Sequence, residues 1–63
     1  MISENIKKFR KKRGFSQDRL CKIADLTHTT LAKIESGVNI NPTIKTLQKI
    51  AKALEVSIDE LVK

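Results

Sequence analysis

Sixty-three residues suffice for one small domain, expected to span 1–63, which buries only roughly 60% of the area its unfolded chain exposes. Hydrophobic residues make up 40% and charged residues 32%, which excludes a disordered polyelectrolyte and a membrane span, since a span needs about 18 consecutive apolar positions. A single cysteine cannot staple a mini-protein, and together with a single histidine it cannot supply a four-ligand zinc site; no metal or cofactor is expected, and packing must hold the fold. The opening run MISENIKKFRKKRG has no apolar stretch behind its bases, so no signal peptide is legible and a cytoplasmic location is expected.

The net charge of +6 is unevenly placed. Residues 1–33 carry nine Lys or Arg against Glu4, Asp18 and Asp25, which gives +6, whereas residues 34–63 carry four Lys against four acids, which gives zero. A basic half on a small domain points to a polyanion, nucleic acid being the commonest. A solvated lysine-rich face accounts for the same charge equally well.

Helix starts are legible because one pattern recurs: an apolar residue, a hydroxyl, then a leucine four positions after the hydroxyl. It occurs as Phe15, Ser16, Leu20; as Leu26, Thr27, Leu31; and as Val56, Ser57, Leu61. The hydroxyl caps an unpaired N–H of the first turn and the residue before it packs as a hydrophobic staple. Glu60 completes a capping box with Ser57, and Pro42-Thr43 before Leu47 is a fourth, weaker instance. Gly14 and Gly37 stand where helices should end with positive φ. The prediction in chain order is therefore five short helices at about 3–12, 17–24, 28–35, 44–54 and 58–62, with no strand alternation: an all-α, compact five-helix bundle. Its core positions are Ile2, Ile6 and Phe9, then Leu20, Ile23 and Ala24, then Leu31 and Ile34, then Ile44, Leu47, Ile50, Ala51 and Leu54. Residues 38–42 read as loop, with Asn39 and Asn41 suited to its turns.

The second and third helices are each about eight residues long on a very short link, so they must cross steeply, as in a helix-turn-helix over 17–35. On these residues the chain resembles the Cro and phage-repressor family of regulators, also called the xenobiotic-response-element family. The resemblance rests on Phe9-Arg10, Gly14-Phe15-Ser16-Gln17, Leu20, Leu31, Ile34-Glu35-Ser36-Gly37, Asn41-Pro42-Thr43, Leu47, Ile50-Ala51, Ala53-Leu54 and Val56 through Leu61. It implies a lambda-repressor-like DNA-binding domain whose 28–35 helix reads the major groove. Leu31 and Ile34 define that helix's buried side, which turns Thr29, Ala32 and Lys33 outward and leaves His28 at its edge. His28, Thr29 and Lys33 are therefore the base-reading candidates, Lys33 suiting guanine O6 and N7. An ordinary polar surface beside a cap is the bland alternative for His28 and Thr29.

The family places a glutamine against the phosphate backbone where Gln17 stands. Asn39, Asn41, Thr43 and Lys45 join it as phosphate candidates, because the helix start after Thr43 is a second anion-favouring end. Asp18, which would repel phosphate, is read as pointing sideways. Arg10 and Glu35 match the family's structural ion pair. Cys21 stands where the family has alanine and reads as small, buried and inert. Asp25 stands where the family often has glycine, and aspartate tolerates the left-handed region better than most residues. Val56, Ile58, Leu61 and Val62 are nominated for a dimer contact.

An enzyme fails on inventory: the carboxylates are scattered and His28 has no nucleophile beside it. A protein-interaction module, such as an antitoxin-like or adaptor helix-turn-helix protein, remains the competitor, although the outward face of the third helix lacks the aromatic or aliphatic anchors it would need. The expectation is a sequence-specific regulator, a repressor, that binds double-stranded DNA as a homodimer on a palindromic operator. No small-molecule ligand and no membrane are indicated, and the bound protein would sit on the nucleoid.

Overall fold

The computed structural model describes residues 2–63, so the first residue of the expected 1–63 domain lies outside the described residues. Five helices follow in order: α1 Ile2–Lys12, α2 Gln17–Ala24, α3 His28–Glu35, α4 Ile44–Leu54 and α5 Ile58–Val62. The last four coincide with the predicted spans, and α1 begins one residue earlier. All four expected caps form: Ser16 accepts from the Arg19 N–H, Thr27 from Thr30, Thr43 from Thr46 and Ser57 from Glu60, the last within a complete capping box. Each hydroxyl satisfies a backbone N–H that has no partner inside its helix.

Three of the four connections use the same three-residue device. Gly14, Asp25 and Glu55 take φ of 72°, 57° and 57°, each ending a helix in the left-handed region. The apolar residue that follows then donates its N–H five positions back: Phe15 to the Arg10 carbonyl at 3.0 Å, Leu26 to Cys21 at 2.9 Å and Val56 to Ala51 at 3.0 Å. The next residue is the cap, Ser16, Thr27 or Ser57. Stop, staple and start thus occupy consecutive positions, and the reversal closes the open carbonyls of one helix before the next begins.

Ile6, Leu20, Leu31, Ile34, Ile50, Leu54 and Leu61 are fully buried, one or more from every helix, and Cys21, Ala24, Leu47, Ala51 and Ala53 complete the core. Around this centre α2 packs on α3 and α4, and α1 on α3 and α5. Ile2 and Phe9 are only partly buried against the core. Two predicted core residues lie outside it. Ile23 is 44% exposed and Ile44 62% exposed. The buried wedge of α2 runs from Leu20 to Cys21, and Ile23 falls about 60° beyond its edge at 100° per residue. Ile44 is the first residue of α4, ahead of the turn that the neighbouring helices cover.

Side chains of α1 also hold the ends of other elements. Asn5 Nδ2 donates to the carbonyls of Leu61 at 2.9 Å and Lys63 at 3.2 Å, tying the end of α5 to α1. Arg13, the residue just after α1, pairs with Glu55 and lies 5.7 Å over the Phe15 ring, so it clasps two of the connections.

Candidate nucleic-acid interface

α3 is anchored by Leu31, Ile34 and Glu35, which are buried. Its opposite face is open. His28, Thr29, Ala32, Lys33 and Ser36 line one shallow depression there, and all five are exposed. The structure therefore brings the three base-reading candidates together on a single surface. Ser36 was not foreseen, although its place seven residues after Thr29 continues the same stripe. Its hydroxyl donates to the Lys33 carbonyl at 3.2 Å. Thr30 is excluded from this face because its hydroxyl bonds to that of Thr27 at 2.7 Å and supports the cap.

Asp18 corrects an expectation. It does not point sideways: Oδ1 lies 3.9 Å from His28 Nε2 and Oδ2 lies 3.4 Å from Lys22 Nζ. The first turn of α2 lies beside the first turn of α3, so a carboxylate stands next to one of the reading candidates. All three side chains are largely exposed, so their mutual attraction is modest and screened by salt.

The phosphate candidates divide by what already occupies them. Gln17 Nε2 donates to Glu35 Oε1 at 3.0 Å, which commits one of its two hydrogens. Asn39 Oδ1 accepts from the Asn41 N–H at 3.1 Å, and the Asn39 N–H donates to the Lys33 carbonyl at 2.9 Å, so this pair shapes the loop before α4. The Thr43 hydroxyl accepts from the Thr46 N–H and donates to the Thr46 hydroxyl at 3.0 Å. It is spent on the cap, which leaves the free amides of the first turn of α4 and the exposed Lys45 as the groups that can meet an anion at this end.

Beneath this surface lies an interior polar cluster. Arg10 and Glu35 form an ion pair with side-chain exposures of 12% and 3%. Arg10 Nε donates to Glu35 Oε2 at 2.8 Å, one terminal nitrogen donates to Oε1 at 3.2 Å, and the other donates to the Phe15 carbonyl at 2.8 Å. The guanidinium therefore joins α1 to the last residue of α3 and to the connection that starts α2. Among the described residues no buried side-chain polar atom lacks a partner. Cys21 is buried in the same region, with Sγ 3.7 Å from the Thr27 carbonyl. Burial, followed by the nearby Asp18 and Glu35 carboxylates, pushes its thiol up from the ordinary value, which disfavours the reactive thiolate.

The nominated dimer residues are not a common surface. Leu61 is fully buried, and Val56 and Ile58 are packed against the core, because α5 spends its apolar side closing the bundle. Only Val62, at 46% exposure, faces out, and it shares a groove with Ile2, Ser3, Gly37, Asn39 and Ile40. Among the described residues no group of three His, Cys, Asp or Glu side chains is placed to hold a metal ion, and no helix is long and apolar enough to cross a membrane.

A helix-turn-helix family model of the Cro/C1 type matches residues 6–61. The chain belongs to that family. Among curated relatives it is 38% identical over 61 residues to the transcriptional regulator SlrR of Bacillus subtilis and 36% identical over 61 residues to the transcriptional regulator SinR of the same organism. Each match takes in 97% of this chain but only 40% of SlrR and 55% of SinR. Among solved structures, the biofilm master regulator SinR in complex with DNA has a TM-score of 0.96 at 35% identity, covering 100% of both chains. The matched span takes in the steeply crossed pair α2 and α3 together with the open face of α3.

Proposed function

We propose that this chain is a sequence-specific, double-stranded DNA-binding transcriptional regulator, acting as a repressor. His28, Thr29 and Lys33 read base edges in the major groove. Gln17, Asn39, Asn41, Lys45 and the amides after Thr43 hold the phosphate backbone. What supports this most is the exposed face of α3, a row of hydrogen-bonding side chains without a large apolar anchor, on a backbone that matches a DNA-bound SinR chain along its whole length. Base edges are recognised by such donors and acceptors, whereas protein interfaces centre on buried aromatic or aliphatic side chains. The regulator works in the cytoplasm on the nucleoid, without a cofactor and without catalysis.

The operator is palindromic and is bound by two copies, with half-sites about 34 Å apart. The contact between copies is made by Val62 and Ile40, beside the partly buried Ile2, since Val62 and Ile40 retain exposed apolar surface and a two-fold contact needs only one self-complementary patch. Their groove also includes Asn39, one of the proposed phosphate contacts.

The test is selection of a random duplex library on the purified protein at physiological salt. An enriched palindrome with half-sites one turn apart is expected. Binding that is steeply salt-sensitive but enriches no motif would reduce the function to phosphate attraction. Absence of binding would overturn the reading in favour of a protein-interaction module.

A further inference from the structure

Glu35 is the partner of Arg10 and accepts a third hydrogen bond, from the side-chain amide of Gln17 at 3.0 Å. We infer that Glu35 is a positioning residue for DNA backbone binding, acting through Gln17; this rests on Gln17 being a phosphate contact. A glutamine amide has two edges of opposite character, one a carbonyl oxygen and the other a nitrogen with two hydrogens. In solution the two are exchanged by a simple rotation. Here the Glu35 carboxylate, 3% exposed and held by two guanidinium hydrogen bonds, only accepts, so it admits the nitrogen edge and repels the oxygen. The amide is locked in one sense. A phosphate oxygen is also only an acceptor, so the second hydrogen on the same nitrogen is the group a DNA strand requires.

The same carboxylate sets the distance between the two functions of the motif. It is the side chain of the last residue of α3, the reading helix, and it holds the side chain of the first residue of α2, the backbone contact. Arg10 completes the frame by binding both Glu35 and the Phe15 carbonyl, two residues before Gln17. Backbone grip and base reading are thereby fixed to one buried anion, so that the grip on the strand orients the reader without a rotamer search.

Phosphate contacts are independent of sequence, so the test uses a fixed 20-base-pair duplex of arbitrary sequence, with the affinities of the unaltered chain, Gln17→Ala, Glu35→Gln and the double variant. Gln17→Ala is expected to weaken binding about tenfold in the unaltered chain, the size of one charge-assisted hydrogen bond, and less than about twofold in the Glu35→Gln background, where a neutral amide lets Gln17 take either orientation. An equal loss in both backgrounds overturns the positioning role and leaves the phosphate contact standing. No loss on Gln17→Ala in the unaltered chain removes both, and failure of the unaltered chain to bind refutes the DNA-binding reading itself. Should Glu35→Gln not fold, the side-chain amide protons of Gln17, followed by NMR in the unaltered chain as duplex is added, decide the matter. One proton shifting while its partner stays bonded to Glu35 supports the role; loss of the Glu35-bonded signal on binding overturns it.

Discussion

Replacing Arg10 by methionine tests whether the buried ion pair is essential to the fold. The substitution keeps the aliphatic stem but removes three hydrogen bonds at once, two to Glu35 and one to the Phe15 carbonyl. Glu35, at 3% side-chain exposure, is left as a buried anion held only by one amide hydrogen of Gln17. Breaking a buried pair from one side costs about 3–5 kcal/mol, most of it the penalty of stranding the remaining charge. For 63 residues the whole stability is of order 3–9 kcal/mol at ~0.05–0.15 kcal/mol per residue, so Arg10→Met should leave a marginal or unfolded protein. With a urea slope of about 1 kcal/mol per molar for so small a chain, the circular-dichroism midpoint should fall by at least about 3 M. The double variant Arg10→Met, Glu35→Met removes both charges and should recover most of that loss, to within about 1–2 kcal/mol, since apolar replacements of a buried pair are often neutral. A loss below about 1 kcal/mol for the single variant, or no recovery in the double, would refute this account of the cluster.

Three further outcomes follow from other parts of the fold. Glu55→Gly, at a left-handed position with φ of 57°, should raise stability by about 0.5–1 kcal/mol despite losing the exposed pair with Arg13, because glycine adopts that region without strain; a calorimetric Tm rise of several degrees would register it. The raised Cys21 thiol makes the unfolded state lose its thiol proton first, so its contribution to stability is fully present below the ordinary thiol value and declines as pH rises above it. Cys21→Ala should flatten that alkaline decline in urea titrations, and a thiol reagent should label the native chain only as fast as it opens. Lys33→Ala should relax preference at one base pair by about 1–3 kcal/mol in competition binding against single-base operator variants, with the remaining positions read as before.

Helix positions were legible in the sequence because they are set by local chemistry. Ser16, Thr27, Thr43 and Ser57 each cap the helix that follows them, and capping depends on residues within one turn of each other. The outward direction of Thr29 and Lys33 was equally readable, since Leu31 and Ile34 fix the wheel of α3. The left-handed stop at Glu55 was hidden by its residue type, which usually avoids that conformation. The fates of Ile23, Ile44 and Leu61 were hidden because a helical stripe indicates which side is apolar but not how far the neighbouring helices extend over it.

The amino-acid order by itself thus determined five helices, their boundaries, the helix-turn-helix and the excess of basic residues in its first half, all consequences of spacing and of side chains acting on nearby backbone. Tertiary structure alone decided that Gln17 bonds Glu35 across 18 residues, that Asp18 faces His28, that Asn5 closes α5 and that α5 keeps Leu61 for the core. Those are meetings between side chains remote along the chain, and their geometry exists only once the helices have packed.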